Sequence, residues 1–179
     1  EHIKAPDFPT GGVIYGMSGV LDAYRTGRGL IRVRAKAVVE TLKNDRENII
    51  ITEIPYMVVK GHLLEKMADL VRERKIEGIS NIRDESDRKG MRIVVELKRD
   101  AQGDVVLNQL YRHTQLENTF GANIIALVDG QPRQLNLKEM LQNYIDHRHD
   151  VVVRRTTFEL RVAEDRAHIL EGLRKALDQ

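Results

Sequence analysis

Apolar and cationic side chains alternate along the stretch IRVRAK, residues 31–36. A period of two places successive side chains on opposite faces of a β-strand. The pattern therefore predicts a strand over residues 30–39 with one dry face and one wet, positive face. A short helix beginning at Ser18 and a loop with two glycines precede this strand and bring two further cations beside it. The five cations expected to share one surface are Arg25, Arg28, Arg32, Arg34 and Lys36.

The chain between residues 49 and 128 shows the element order β-α-β-β-α-β. The run IIITEIP predicts a strand that forms a hairpin with the cationic strand through the turn TLKNDREN, and apolar residues at helical spacing predict a helix from His62 to Arg74. The runs ISNIR and MRIVVELK predict two strands before a second helix around Leu110, and NIIALV predicts a last strand after a breaker at Gly121. This order predicts an α+β fold, a two-layer α/β sandwich in which two helices cover one face of an antiparallel sheet.

Proline and glycine divide the chain into three predicted parts. Residues 1–17 hold two of the four prolines and read as an extended connector with a short strand near Val13. Residues 18–135 form the α/β domain, and residues 136–179 form the helical root of a longer arm. Two amphipathic helical stretches in that root flank DVVVRRTTFEL, whose β-branched residues predict a bend. The apolar spacing of the second stretch is typical of a coiled coil.

Composition narrows the classes of function. Hydrophobic residues make up 41% of the 179 residues, enough for a core, whereas aromatic residues make up 4%, which argues against a base-stacking platform. The absence of cysteine excludes a disulfide framework and thiolate metal sites. No apolar run approaches the roughly 20 residues that cross a bilayer. We therefore expect a cytoplasmic protein without a membrane partner.

Three candidate sites for catalysis or metal binding lack the spacing that their chemistry requires. The stretch GGVIYGMSG has neither the Lys-Ser/Thr pair nor the G-x-G-x-x-G spacing of phosphate-binding loops. Asp84, Glu85 and Asp87 fall in a turn-forming run typical of solvated loops. His147 and His149 are spaced i, i+2, which points them to different sides of a helix. We expect no catalytic residue, no metal and no cofactor in this segment.

The cationic surface is best complemented by a phosphate backbone. Arginine binds phosphate oxygens bidentately and displaces condensed counterions, so the five cations favour nucleic acid recognised by shape and charge. An alternative interpretation is that alternating Arg and Lys keep an exposed strand soluble and unpaired. A smaller basic group, Arg148, Arg154 and Arg155, is predicted to be solvated helix surface.

Two further functions are compatible with the element order. A β-α-β-β-α-β sheet is also the scaffold of RNA-recognition motifs, but its central strands here offer Ile, Val and Met where stacking rings are needed. A second alternative is that the chain is a structural dimerisation module, with the helical arm as its functional surface.

The blocks PDFPTGG, AYRTGRG, EIPY, GISNIRDESD, ELKRDA, LYRHTQLENTFGAN and VVVRRTTFELRVAEDRAHILEGL follow one another along essentially the whole chain. In this order they resemble the A subunits of the type IIA topoisomerases, with the DNA gyrase member as the nearer match and the topoisomerase IV member as the near relative. The run RDESD followed by KRDA and FGAN is more similar to gyrase than to topoisomerase IV.

The resemblance implies an ATP-dependent DNA topoisomerase that cuts both strands of one duplex, passes another through, reseals the break and supercoils DNA. It implies double-stranded DNA as substrate, a homodimer of A subunits, and a gyrase B subunit that uses ATP and Mg²⁺ in an A2B2 complex. The family's DNA-breaking tyrosine is flanked by Arg and Thr and lies upstream of the matching region, and no tyrosine here has both of those neighbours. The chain would then be the tower domain and the start of the coiled-coil arm, inactive alone, which supports the flanks of the cleaved duplex. By resemblance and by charge, the DNA-facing candidates are the five cations above.

Overall fold

The computed structural model describes residues 2–42 and 46–177, and the chain divides into two compact units, residues 1–123 and 124–179. Part of the predicted turn TLKNDREN, residues 43–45, lies outside the described residues, as do residues 178 and 179 of the predicted helical root.

The first unit combines two antiparallel sheets with three helices in its described part. The helices are α1 (Ser18–Thr26), α2 (Lys60–Arg72) and α3 (Gly103–His113). The first sheet has the strand order β1-β2-β7 and the second β3-β4-β6-β5. The strands are β1 (Val13–Ile14), β2 (Arg28–Arg34), β3 (Lys36–Thr41), β4 (Glu47–Glu53), β5 (Ile79–Asp84), β6 (Ile93–Leu97) and β7 (Glu117–Asn123).

The alternating cationic stretch is divided between the two sheets. β2 pairs with β7 in the first sheet, whereas β3 forms the hairpin with β4 in the second, so the prediction of one continuous strand over residues 30–39 is wrong. The chain changes sheets at Ala35, whose N–H donates to the Leu116 carbonyl oxygen at 2.7 Å. Burial still follows the predicted period of two, because Ile31 and Val33 are both almost fully buried.

The four-stranded sheet carries the main hydrophobic core. Ile49, Ile51, Ile93 and Val95 point from its central strands β4 and β6 toward Leu63 and Met67 of α2 and Leu110 of α3. Both helices therefore cover one face of this sheet, as the sequence predicts. The hairpin of β3 with β4 is as predicted, but the described sheet lacks the predicted strand after α3. The order is as predicted through α3, but the last strand is not. The strand that follows α3 is β7, which belongs to the other sheet, and the run NIIALV, predicted to complete the sandwich, contributes Ile125–Val128 to a separate two-stranded sheet.

The three-stranded sheet has a smaller core on one face only. Val20 and Ala23 of α1 pack against Ile31 and Val33 of β2, and Phe120 of β7 adds to the edge of this cluster. Gly19 and Gly29 allow the helix and strand to approach closely, because a Cβ on Gly29 would lie 2.7 Å from the Ala23 nitrogen. The predicted helix from Ser18 is confirmed, although Met17 and not Ser18 is the N-cap residue.

Hydrogen bonds and ring contacts join the two sheets of the first unit. The Tyr111 hydroxyl of α3 donates to the Ala35 carbonyl oxygen at 3.1 Å, at the point where the chain changes sheets. Burial raises the pKa of this Tyr111 hydroxyl. Phe8 packs on Tyr56 and Phe120 with ring centroids 5.9 and 5.1 Å away, so the N-terminal segment is part of the fold.

The second unit consists of a β-hairpin and one long helix. β8 (Ile125–Val128) and β9 (Gln131–Gln134) are joined by Asp129 and Gly130, both with positive φ, as in a type I′ turn. The helix α4 (Leu137–Leu177) has 41 residues, which corresponds to a length of about 60 Å. It is unbroken in secondary structure through residues 150–160, where the sequence predicts a bend. Thr156 and Thr157 hydroxyls donate to the carbonyl oxygens of Val152 and Val153, which satisfies these polar groups within the helix.

The α+β class is confirmed by the mixture of antiparallel sheets and helices. The division into a connector, a tower domain and an arm root stays a prediction. In the described part of the chain, no helix has the length and hydropathy needed to span a membrane.

Candidate nucleic-acid interface

The face of the three-stranded sheet that points away from α1 is open to solvent over most of its area. The even-numbered residues of β2 lie on it, and the antiparallel register places one residue of β7 beside each of them. We call this surface the open face. Its members are Arg28, Leu30, Arg32 and Arg34 of β2 and, in the same order, Asn123, Gly121, Thr119 and Glu117 of β7.

Small and polar side chains leave the open face accessible. Leu30 is 71% exposed, and Thr119, Gly121 and Asn123 beside it are also exposed. Gly121 has open space where a Cβ would lie, so the backbone of β7 itself is accessible at this position. A large ligand can therefore lie flat across the strands.

The turn between α1 and β2 places Arg28 at the start of the open face. Gly27 ends α1 in the left-handed conformation with φ 80°, and its N–H donates to the Ala23 carbonyl oxygen. The Arg28 N–H donates to the Thr26 hydroxyl at 3.2 Å, which fixes the first residue of the strand. Arg28 is exposed, and no ion pair joins it to a carboxylate among the described residues.

Arg34 is held inside the fold. Its Nε donates to Glu117, and its guanidinium lies 3.7 Å from the ring centroid of Tyr15 and 4.8 Å from that of Tyr111. Its side chain is only 26% exposed. Arg34 therefore joins Tyr15, which follows β1, to Glu117 of β7 and Tyr111 of α3 through one planar group, an arrangement that stabilises a cation between aromatic faces.

Arg32 has one weaker partner. Its Nη1 lies 3.6 Å from Glu117 Oε1, and its side chain is 57% exposed. The guanidinium also lies 5.6 Å from the Tyr15 ring centroid. Arg32 and Arg34 thus share a single carboxylate, but only Arg34 makes a hydrogen bond to it.

Lys36 lies on β3 in the second sheet and is paired with a different carboxylate. Its Nζ lies 3.2 Å from Glu53 Oε1, and the other oxygen of Glu53 accepts the Gly12 N–H at 2.6 Å. The Gly12 hydrogen bond, followed by the one from Lys36, holds the pKa of Glu53 below its usual value. These contacts connect the N-terminal segment to β4, and the Glu53 carboxylate neutralises much of the positive charge of Lys36.

The structure brings together three of the five cations predicted to share one surface. Arg28, Arg32 and Arg34 lie on the open face, whereas Lys36 lies in the other sheet. Arg25 lies in the last turn of α1, which packs on the opposite face, and its positive charge there complements the helix dipole. The expectation that all five share one surface is therefore wrong, because the chain changes sheets at Ala35 and Arg25 lies on the α1 side. Three of the cations also have carboxylate partners, which Glu117 and Glu53 supply.

Sequence reasoning misses Tyr15 and the whole contribution of β7. Gly121, predicted to be a breaker, lies inside a strand whose Phe120 and Ala122 alternate with exposed Thr119 and Asn123. That alternation is the available signal. No short sequence pattern indicates that Glu117 pairs with Arg34, because the two residues are 83 positions apart.

The described residues include no group of three or more His, Cys, Asp or Glu side chains arranged to hold a metal ion. Asp84, one of the carboxylates considered above, is instead paired with Lys60 at 2.6 Å. The hydrogen bond from Lys60, with two more from Ser86, lowers the pKa of Asp84 to about 2.

The chain thus contains an α+β unit with a solvent-exposed, arginine-bearing sheet face and a second unit made of a hairpin and a long helix. The sequence model of the family of DNA gyrase and topoisomerase IV A subunits matches residues 1–179. The chain belongs to this family.

Individual relatives agree with this assignment. The DNA gyrase A subunit of Pseudomonas aeruginosa is 59% identical over 179 residues, which cover 99% of this chain and 19% of the relative. Its counterpart from Clostridium acetobutylicum is 58% identical over 98% of the chain and 21% of its own length, and that from Escherichia coli K12 is 58% identical over 99% and 20%. The chain therefore spans about one fifth of the length of these relatives.

Proposed function

We propose that this chain is the part of a type IIA topoisomerase that binds the flanks of the cleaved duplex. The observation that supports the proposal is the open face, where three guanidinium groups and a single carboxylate lie on a solvent-accessible sheet. Arg28 and Arg32 are the cations we assign to phosphate contacts first, because both are exposed on this face. Arg25 lies on the α1 side and Lys36 in the other sheet, so both are assigned to weaker contacts, and Arg34 stabilises the open face.

Binding through the backbone suits the proposed reaction. A topoisomerase acts on duplexes of many sequences, so phosphate contacts that carry no sequence information are sufficient. A rigid sheet keeps the cations at fixed spacings, which favours a bent or otherwise defined path of the DNA. The absence of aromatic residues from the central strands β4 and β6 disfavours the RNA-recognition alternative.

The remaining functions of the complex belong to segments or partners outside this chain. We propose that the parent protein forms a homodimer and joins a gyrase B subunit that supplies ATP hydrolysis and Mg²⁺, in an A2B2 complex that supercoils DNA. We further propose that the reaction takes place in the cytoplasm and that this segment supplies no nucleophilic tyrosine. A topoisomerase IV protein, which would act in decatenation, is the nearest alternative, because the family includes both.

A structural module that acts only through its helix is the second candidate. It is favoured by α4, in which no residue is buried although Leu141, Ile145, Leu170 and Leu173 are apolar. Such a module would not need cations on the open face.

The salt dependence of duplex binding tests the proposal. We expect the double variant Arg28→Ala, Arg32→Ala to bind a short duplex more weakly than the wild-type chain. The slope of log K against log salt should fall by up to about 1.8, because each lost phosphate contact removes roughly 0.9. Fluorescence anisotropy with a labelled duplex over a series of salt concentrations measures both quantities.

A matched variant controls for the change in net charge. Arg88 and Arg99 are exposed residues away from the open face, and Arg88→Ala, Arg99→Ala removes the same two charges. This control should change the slope much less. Equal slopes for the two double variants would contradict the proposed interface and favour the structural module.

A further inference from the structure

Glu117 lies at one end of the open face, where a negative charge opposes the binding of DNA. Its side chain is 21% exposed, and its two oxygens face two different arginines. The open face carries three cations, so this carboxylate neutralises a third of its positive charge. It is the one carboxylate among the eight residues of the open face, so a change at this position alters the charge of the surface directly.

The two arginines are bound to Glu117 with unequal strength. Arg34 donates a hydrogen bond through Nε and is enclosed by Tyr15 and Tyr111. Arg32 lies at 3.6 Å without a hydrogen bond to Glu117 and is more than half exposed. An exposed ion pair of this kind contributes little to stability, whereas a partly buried, hydrogen-bonded pair resists disruption.

This inequality makes Arg32 the cation that can change partners. When Arg32 turns to a phosphate, Glu117 keeps Arg34 and is not left as an unpaired charge. If Arg34 instead left Glu117, it would lose both its hydrogen bond and its stacking on the tyrosine rings, and a phosphate would not replace the stacking. The same geometry predicts that Glu117 competes with DNA for Arg32 and repels the incoming phosphate.

We propose that Glu117 lowers the DNA affinity of this surface, because its carboxylate competes with the DNA phosphates for Arg32. The inference rests on the proposed function of the open face. Its consequence is a weaker, faster-exchanging contact than three free arginines would make, and such a contact suits a protein that must release DNA as well as bind it.

Removal of the carboxylate charge tests the inference. Glu117→Gln keeps an oxygen that accepts from Arg34 Nε but loses the charge. It should tighten binding of a short duplex by about two- to fivefold at low salt, the range that an exposed ion pair is worth. Most of this gain should disappear in the Arg32→Ala background, because the competition acts through Arg32.

A second carboxamide variant controls for net charge. Glu96 lies in the other sheet and pairs with Arg83 at 2.9 Å, and Glu96→Gln makes the same charge change away from the open face. It should leave duplex affinity nearly unchanged. Thermal unfolding of each variant establishes that the fold is retained, and Glu117→Met, which also removes the charge, replaces Glu117→Gln if that variant is unstable.

The possible outcomes separate the inference from the proposed function. Weaker or unchanged binding by Glu117→Gln, or an equal gain in the Arg32→Ala background, would overturn the role of Glu117 while leaving the interface standing. If Arg32→Ala and Arg28→Ala both leave the duplex affinity of the wild-type chain unchanged, the interface itself is wrong.

Discussion

Neighbouring arginines on β2 illustrate how one residue type performs two tasks. Arg32 and Arg34 lie on the same face of the same strand and share Glu117, yet 57% of the first side chain is exposed and only 26% of the second. The difference comes from the surroundings, because Tyr15 and Tyr111 both lie against Arg34, whereas among the described residues Arg32 has only the Tyr15 ring near it, at 5.6 Å. Arg34 should therefore contribute to stability, and Arg32 to binding.

Substitution of each arginine tests this division. Arg34→Ala should lower the free energy of unfolding by roughly 2 kcal/mol, because it removes a partly buried ion pair and a stacked cation. Arg32→Ala should change it by less than about 0.5 kcal/mol, as for other exposed pairs. Urea unfolding followed by circular dichroism measures both, and Arg34→Lys, which keeps the charge without the planar group, should fall between wild type and Arg34→Ala. Similar losses for Arg32→Ala and Arg34→Ala would contradict the division.

The sequence predicts the exposure of Arg32 but neither the partial burial of Arg34 nor the partner of either arginine. A period of two is a local property, so it correctly places Ile31 and Val33 inside and Arg32 outside. The partnership with Glu117 depends on the pairing of β2 with β7, which are far apart along the chain. Pairings of this kind follow from the whole fold, and no short pattern contains them.

At the scale of elements, the close packing of α1 on β2 determines where the open face begins. Gly19 and Gly29 meet where the helix crosses the strand, and a Cβ on Gly29 would overlap the Gly19 carbonyl oxygen. The left-handed Gly27 then turns the chain from helix to strand within one residue. These three glycines therefore position Arg28 relative to the rest of β2.

Addition of a single methyl group tests this packing. Gly29→Ala should destabilise the chain by roughly 1–3 kcal/mol, as overpacking does in other cores. Gly121→Ala is the matched control in the same sheet, because nothing lies within 4 Å of its Cβ position, and it should change stability far less. Thermal unfolding of both variants measures the difference. Equal melting temperatures would show that α1 does not pack on β2 as described.

Element boundaries are predictable where the pattern is local and strong. The helices α2 and α3 and the strands β5 and β6 follow the expected order, because their apolar residues repeat at helical or strand spacing. The division at Ala35 is not predictable, because even-numbered positions stay more exposed than their odd-numbered neighbours on both sides of it and the alternation continues from one sheet into the next. Likewise, the single helix α4 continues through a segment of β-branched residues, whose low helix propensity predicts a bend.

At the scale of the whole molecule, the chain corresponds to one part of its much longer relatives. These are about five times its length, so an activity of the whole protein need not lie within these residues. What this segment offers on its own is a folded sheet with accessible cations and a long helix with exposed apolar residues. Its proposed role therefore depends on whether duplex DNA lies on the open face.

The most direct measurement is a nuclear magnetic resonance titration of the chain with two short duplexes of unrelated sequence. We predict that the side-chain Nε signals of Arg28 and Arg32 and the amides of Gly121 and Asn123 shift together, and equally for both duplexes. Arg83, which is paired with Glu85 and Glu96 in the other sheet, should not shift. Shifts confined to α2, α3 or α4, with the open face unchanged, would contradict the proposed role of the open face.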